Sequence, residues 1–120
     1  MIINFTQHNA TTEQIEVGVV DLIPAERRSE LLTFVGLPTA VEIHDRAAAV
    51  TTEVVNVAEA GTEVMIGGAP FFMGTLEAAL KAAGFTPVYA FSERMSVEIV
   101  QDDGSVVKTA KFVHKGFVRV

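Results

Sequence analysis

The stretch that most constrains the fold is residues 63–94, where two apolar runs flank a glycine turn and a helical repeat. The first run leads into Gly67-Gly68, and Pro70 suits the first turn of a helix, where its missing N–H has no helical partner. Apolar residues then recur at helical spacing as far as Gly84, a residue type that commonly ends helices. This order of strand, turn, helix and strand predicts a βαβ unit, and therefore a parallel sheet.

The rest of the chain continues the alternation of strands and helices. Thr11 or Thr12 is expected to cap one helix, and Thr39 another, with Glu42 completing a capping box. Further strands are predicted over 1–5, 19–23, 87–91 and 96–101, with helices over 12–17, 24–34 and 40–60. The sum is a single α/β domain over residues 1–120, with a doubly wound, mainly parallel sheet.

The C-terminal end predicts a different kind of pairing. Asp102-Asp103-Gly104-Ser105 is a hairpin turn signal, and the alternating residues 106–120 predict an antiparallel return strand. Gly116 indicates a bulge or bend within that strand. We therefore expect a C-terminal antiparallel β-hairpin at one edge of the parallel sheet.

The predicted helix over 40–60 has an unusually wide apolar surface. One stripe has helical spacing, and other apolar residues lie beside it, so the helix could serve both the sheet and a partner subunit. The stripe consists of Ile43, Ala47, Val50, Val54 and Val57, and the residues beside it are Val41, Ala48 and Val55.

Composition excludes several classes of protein. The chain has 49% hydrophobic residues and no cysteine, which argues against disorder, disulfide frameworks and cysteine-based zinc sites. No apolar run reaches the roughly 18–20 residues of a membrane span, and the N-terminus lacks the pattern of a signal peptide. We therefore expect a cytoplasmic protein that does not contact a membrane.

Charge is unevenly distributed. The net charge of −6 argues against binding duplex nucleic acid, although a small anionic ligand held locally is compatible with it. Residues 106–120 nevertheless contain four basic residues and no acidic one. A Lys-rich outer face of an edge strand explains this tail, since lysines also protect a sheet edge from unwanted pairing.

Three polar loops are predicted at carboxyl ends of strands, where open α/β sheets bind ligands. They are Thr6–Thr12, Gly67–Pro70 and Ser92–Arg94. The Gly67–Pro70 turn suits an anion because it leads into a helix N-terminus with free N–H groups. Two glycines could also simply make a tight turn. The candidate ligand-binding residues are Thr6, Gln7, Asn9, Gly67, Gly68, Ala69, Pro70 and Glu93.

Three side chains are candidates for catalysis: His8, Ser92 and Arg94. His8 could act as a general acid or base, or it could be an ordinary exposed loop histidine. Arg94 could pair with a phosphate, or it could form a salt bridge with Glu93 or Glu98.

Cofactor motifs are missing from the sequence. The glycine turn is neither a full GxGxxG nor a P-loop, which argues against dinucleotide and NTPase functions. The three histidines, His8, His44 and His114, are scattered, without carboxylates at ligand spacing, so neither a metal site nor a cofactor is expected.

Three segments resemble small CRISPR-associated ring-nuclease-type proteins of the CARF-like group. They are INFTQHNATTEQIE, GTEVMIGGAPFFM and PVYAFSERMSVEIVQDDGSVVKTAKFVHKGF. The resemblance implies a Rossmann-like domain in a homodimer that binds a cyclic oligoadenylate. It implies metal-independent cleavage, in which a ribose 2′-hydroxyl attacks its own phosphate, and thus an enzyme that switches off antiviral signalling.

The residues leave two other functions open. One is a cyclic-nucleotide sensor, or a phage sponge, that binds such a ligand without cleaving it. The other is a small α/β interaction protein that has no ligand.

Overall fold

A computed structural model describes residues 1–120 as one five-stranded sheet with four helices. The strands are β1 (Ile2–Phe5), β2 (Val19–Val20), β3 (Glu63–Ile66), β4 (Thr86–Val100) and β5 (Val106–Arg119). The helices are α1 (Thr12–Glu16), α2 (Ala25–Leu32), α3 (Ala40–Val55) and α4 (Pro70–Ala82). The strand order is β2-β1-β3-β4-β5; β4 and β5 are antiparallel, and every other pair is parallel. A mixed α/β fold with a mainly parallel sheet and a C-terminal hairpin is thus confirmed.

The predicted βαβ unit is present as β3, α4 and β4. Helix α4 begins at Pro70, and its last turn is followed by Gly84 at a φ of 89°. This left-handed backbone favours glycine, which is the reason the helix ends there. The chain then enters β4, which pairs in parallel with β3 and places Val88 opposite Met65.

Two of the predicted helix caps are present. Thr11 Oγ1 accepts from the N–H of Gln14 at 3.2 Å, and Gln14 Oε1 accepts from the N–H of Thr11 at 3.0 Å. This reciprocal capping box identifies Thr11, rather than Thr12, as the cap of α1. Thr39 caps α3 by accepting from the N–H of Glu42 at 3.1 Å, but the predicted capping box is not completed, because the carboxylate of Glu42 pairs with Arg46 at 3.6 Å.

Side chains along each strand alternate between the two faces of the sheet, and these faces are unequally covered. Ile3, Phe5 and Val64 face the larger core, a cluster of 15 buried residues to which α2, α3 and α4 contribute. The opposite face carries a cluster of only four residues, including Ile2 and Met65. Helix α1 lies outside both cores, since none of its residues is buried.

The apolar stripe of α3 faces the larger core. Ala47, Val50 and Val54 are buried, and Ile43 packs against them. The helix ends at Val55, before the predicted limit at 60, and Val57 is 37% exposed. Most of the stripe therefore packs within its own chain.

The predicted strands near the middle and the end of the chain differ from the structure. The second strand is only Val19–Val20, because the chain then turns inward to bury Ile23. Strand β4 runs without interruption through Ser92–Arg94, so the expected turn there, and a separate strand over 96–101, are wrong. Serine, glutamate and arginine are polar here because both faces of the strand are exposed, not because the chain turns.

The hairpin projects beyond the body of the molecule. We call residues 91–114 the β-arm. At its base Phe91 lies opposite Gly116, and Ser92 lies opposite His114, so Lys115 has no partner and forms the bulge predicted at Gly116. The molecule measures 59 × 33 × 25 Å, and the β-arm accounts for its length. None of the four helices combines the length and the apolar character needed to cross a bilayer.

Candidate functional site

A cavity of about 480 Å³ lies at the carboxyl ends of β1 and β3. Strand β1 lies between β2 and β3, so the chain leaves β1 toward one side and returns on the other. The loops that follow β1 and β3 therefore diverge and leave a crevice, which is the usual ligand position in open α/β sheets. The lining residues are Thr6, Gln7, His8, Asn9, Thr11, Gln14, Met65, Gly67, Gly68 and Ala90.

Two of the three predicted loops meet at this cavity. The loop after β1 contributes Thr6, Gln7, His8 and Asn9, and the turn after β3 contributes Gly67 and Gly68. The other two candidates in that turn do not line it. Ala69 packs against the larger core, and Pro70 is the first residue of α4.

The third predicted loop is absent from the cavity. Strand β4 contributes Ala90, whereas Ser92, Glu93 and Arg94 do not line it. Ser92 and Arg94 share the face of Ala90, but a strand rises about 3.3 Å per residue, so Arg94 is roughly 13 Å farther along. Glu93 points to the other face and pairs with Lys115 at 3.9 Å. The predicted assembly of His8 with Ser92 and Arg94 is therefore not formed within one chain.

A buried arginine holds the loop after β1. Arg28, on α2, is fully buried, and its Nε donates to the main-chain oxygen of Ile23 at 2.9 Å. Its Nη1 donates to the main-chain oxygens of Thr6 and His8, both at 2.8 Å. Its Nη2 donates to Asn9 Oδ1 at 2.8 Å. Such a fork of fixed donors can hold several acceptors in one geometry, which a lysine cannot do.

A buried asparagine supports the same loop from below. Asn4 Nδ2 donates to Asp21 Oδ1 at 2.7 Å and to the main-chain oxygen of His8 at 2.8 Å. Asn4 Oδ1 accepts from the N–H and the hydroxyl of Thr6 at 2.9 and 2.8 Å. Asp21 also accepts from the N–H of Ala10 at 3.2 Å. The buried amide therefore has partners for both of its ends, as burial requires.

Sequence reasoning missed Arg28 and Asn4, although each left a signal. Arg28 precedes Leu31 and Leu32 by three and four residues, which places a cation on the apolar face of α2. Asn4 is the one polar residue in the buried strand IINF. A polar side chain at a core-facing position normally has a buried partner, and here the loop after β1 supplies partners to both side chains.

Most of the residues that line the cavity are polar or glycine, and none carries a fixed charge. His8 is its only titratable side chain. Amides, hydroxyls and glycine backbone supply hydrogen bonds. The N-terminus of α4, which has no side-chain cap, directly follows Gly67-Gly68. This arrangement can bind a ligand that accepts hydrogen bonds, including an anion.

The remaining candidates for metal binding are dispersed. His44 is on α3 and His114 is on β5, and neither lines the cavity. No group of three or more His, Asp or Glu side chains converges in the structure.

Comparison with known proteins places the chain in one family. The model of a family described as the uncharacterized protein MJ1673 family matches residues 1–118. No curated protein and no solved structure matches the chain significantly. The family match includes both cavity loops, Arg28 and nearly all of β5. The chain therefore belongs to the MJ1673 family.

Proposed function

We propose that the protein binds a cyclic oligonucleotide of the cyclic oligoadenylate class in this cavity. The observation that carries the proposal is the convergence of the His8 loop with the Gly67-Gly68 turn at the carboxyl ends of β1 and β3. The glycines have no side chains to exclude a ligand backbone, and α4, whose N-terminus has no side-chain cap, begins two residues after Gly68. The resemblance to CARF-like, ring-nuclease-type proteins supports the same ligand and a Rossmann-like, doubly wound ancestry.

In the proposed reaction a ribose 2′-oxygen attacks the adjacent phosphorus while the bond from phosphorus to the 5′-oxygen breaks. The products are a 2′,3′-cyclic phosphate and a free 5′-hydroxyl. His8 takes the proton of the 2′-hydroxyl, and the 5′-oxygen receives a proton from water or from His8. Ser92 and Arg94 lie outside the cavity of their own chain, so the proposal assigns proton transfer to His8 alone.

The size of the ligand favours a homodimer. A cavity of about 480 Å³ is typical of small-ligand sites, which range from roughly 300 to 1,000 Å³. A ring of four or six nucleotides is larger than one such cavity. We therefore propose a homodimer in which a second copy covers the part of each ring that the cavity leaves exposed, in a cytoplasmic protein acting in antiviral signalling.

Incubation with cyclic tetra-adenylate and cyclic hexa-adenylate in EDTA tests the reaction. We expect linear products that end in a 2′,3′-cyclic phosphate. His8→Ala should reduce the rate by about 10²–10⁴-fold, as loss of a general acid or base does. His44→Ala, an exposed histidine on α3, is the matched control and should leave the rate unchanged. Intact ligand after long incubation at high protein concentration removes the catalytic claim.

Binding without cleavage is the second candidate function. It is favoured because the guanidinium of Arg28 is occupied by protein oxygens, and Arg94 is outside the cavity, which leaves no cationic side chain beside a phosphate. A sensor or sponge of this kind would gain thermal stability with ligand and release it unchanged after denaturation. The absence of any shift with cyclic di-, tri- and tetranucleotides would contradict both candidates and favour a ligand-free interaction protein.

A further inference from the structure

Beyond its base, where the N–H of His114 donates to Glu13 Oε2 at 3.2 Å, the β-arm is a two-stranded ribbon with no further strand of its own chain beside it. A two-stranded ribbon is only marginally stable in water, and three or more strands are normally needed for independent stability. One face of the β-arm carries Phe91, Met95, Val97 and Ile99, each between 37 and 50% exposed. A ribbon of this length and apolar content therefore requires a further strand or surface beside it.

Strand β4 has an unpaired edge along the β-arm. Its pairing with β3 ends at Val88, whereas its pairing with β5 continues to Val100. The N–H of Gln101 donates to the main-chain oxygen of Ser105 at 2.8 Å. Hydrogen-bonded and non-bonded pairs alternate in antiparallel ladders, so the odd residues of the β-arm bond to β5. The even residues 92–100 direct their N–H and C=O groups to the free edge.

The two outer edges of the β-arm differ in charge. Strand β5 has only basic charged residues, Lys108, Lys111, Lys115 and Arg119, which oppose pairing with a second β5 edge. Strand β4 instead carries both signs, with Arg94 and Glu98 on the same face and both among the even residues. Because these two residues lie four positions apart, a strand running antiparallel to β4 can match both charges at once.

We propose that β4 pairs with β4 of a second copy of this chain, antiparallel and with the two-fold axis at Ser96. In this register Arg94 lies opposite Glu98 of the second copy, and the same pair recurs across the axis. Centring the axis on Arg94 would oppose two arginines, and centring it on Glu98 would oppose two glutamates. Like charges directly opposite each other destabilise a sheet, whereas opposite charges stabilise it.

The backbone and the apolar face agree with the same register. The residues that pair across the axis are the even ones, whose N–H and C=O groups are free. Met95 then lies opposite Val97 of the second copy, so the apolar face continues across the joint. The two ribbons become one four-stranded sheet with an isologous interface, as two-fold symmetry requires.

This pairing would also bring each hairpin turn to the cavity of the other copy. Position 90 lies opposite position 102 in this register, and Ala90 lines the cavity. Asp102 of one copy therefore lies beside the cavity mouth of the other. The inference rests on the homodimer proposed above, but it does not depend on the identity or existence of the ligand.

Sedimentation without ligand tests the charge pairing. The wild type should be dimeric at micromolar concentration, and Arg94→Glu should weaken dimerisation by roughly tenfold or more because it creates two repulsive pairs. The double variant R94E/E98R should restore most of the affinity. Lys111→Glu makes the same charge change on β5 and should leave the dimer intact. A monomeric wild type, or no difference between Arg94→Glu and Lys111→Glu, would overturn the proposal.

Cysteine cross-linking tests the register directly, because the chain has no native cysteine. Hydrogen-bonded antiparallel pairs have Cα atoms about 5.5 Å apart, within the range of a disulfide, roughly 4.4–6.8 Å. Ser96→Cys should therefore form disulfide-linked dimers under mild oxidation. Ala110→Cys, opposite Ser96 in the same hairpin, should not, because it lies three strands from its copy. Dimers from Met95→Cys in preference to Ser96→Cys would show a shifted register and overturn the proposal. Failure of ligand binding would leave both experiments unaffected.

Discussion

The Nη1 atom of Arg28 donates a 2.8 Å hydrogen bond to the main-chain oxygen of His8. A fully buried cation on α2 thus determines the position of an exposed imidazole in the loop after β1. The loop bends around this guanidinium and presents its side chains to the cavity while its carbonyl oxygens face inward. The shape of the cavity therefore depends on a residue that does not line it.

Replacing Arg28 should destabilise the protein and deform the cavity. Arg28→Lys keeps the charge but loses the fork, which leaves buried carbonyl oxygens without donors. We expect the free energy of unfolding to fall by about 2–3 kcal/mol, measured by urea titration. Arg27→Lys is the matched control, since Arg27 is partly exposed and contacts only carboxylates, and its stability should stay close to that of the wild type. Equal effects of the two variants would contradict the role of Arg28.

Asn4 provides an independent test of the same loop. Asn4→Leu is close in size, but it removes the acceptor for Thr6 and the donor for Asp21 and His8. We expect a loss of about 2–3 kcal/mol in thermal or urea unfolding. Asn56→Leu, at an exposed position at the end of α3, should change stability by less than about 0.5 kcal/mol. A stable Asn4→Leu protein would show that the polar network is not needed.

The Gly67→Ala variant tests access to the cavity without a change in the stability of the fold. A Cβ at this position would meet Thr6 Cγ2 at 3.6 Å, an ordinary contact, so Gly67→Ala should change stability by less than about 0.5 kcal/mol. The added methyl group lies in the cavity wall and should weaken binding of cyclic oligoadenylate, measured by calorimetry.

Gly74→Ala is the control for Gly67→Ala. Gly74 lies within α4 and has no atom within 4 Å of an added Cβ, so alanine should stabilise the helix by about 0.5–1 kcal/mol. Ligand binding should remain at the wild-type level. Equal binding by both alanine variants would place the ligand elsewhere.

Tyr89 gives a spectroscopic test of packing at the base of the hairpin. Burial, together with a 2.6 Å hydrogen bond to Glu77 Oε2, raises the pKa of the Tyr89 phenol above its usual value near 10. Tyr89 is the only tyrosine and the chain has no tryptophan, so phenolate absorbance reports this residue alone. The absorbance should rise at higher pH in the folded protein than in urea.

The raised pKa of Tyr89 also fixes the sign of its contribution to stability. The folded state holds the phenolic proton more tightly than the unfolded state. The resulting stabilisation is complete below about pH 10 and is lost as the pH rises further. Tyr89→Phe should remove this part of the pH dependence, and Glu77→Gln should reduce it. Coincident phenolate titrations in folded and unfolded protein would contradict the assignment.

Much of the fold could be predicted because its signals are local. Pro70 and Gly84 mark the two ends of α4, and Thr11 with Gln14 marks the start of α1. The juxtaposition of the His8 loop and the Gly67-Gly68 turn could also be predicted, since both follow parallel strands. The polar run Ser92–Arg94 was wrongly predicted to be a loop, because polar residues are typical both of turns and of exposed strands.

The sequence by itself determined where the helices begin, that the sheet is mainly parallel, and that the loops after β1 and β3 lie at one edge. These features follow from residue types and spacings within a few positions of each other. The tertiary structure alone decided the partners of Arg28 and Asn4, which lie 20 and 17 residues away at His8 and Asp21. It also decided that β4 continues as the β-arm, because strand continuity depends on pairing with β5 rather than on local polarity. Contacts made across the fold have no fixed spacing in the sequence, and so only the folded chain reveals them.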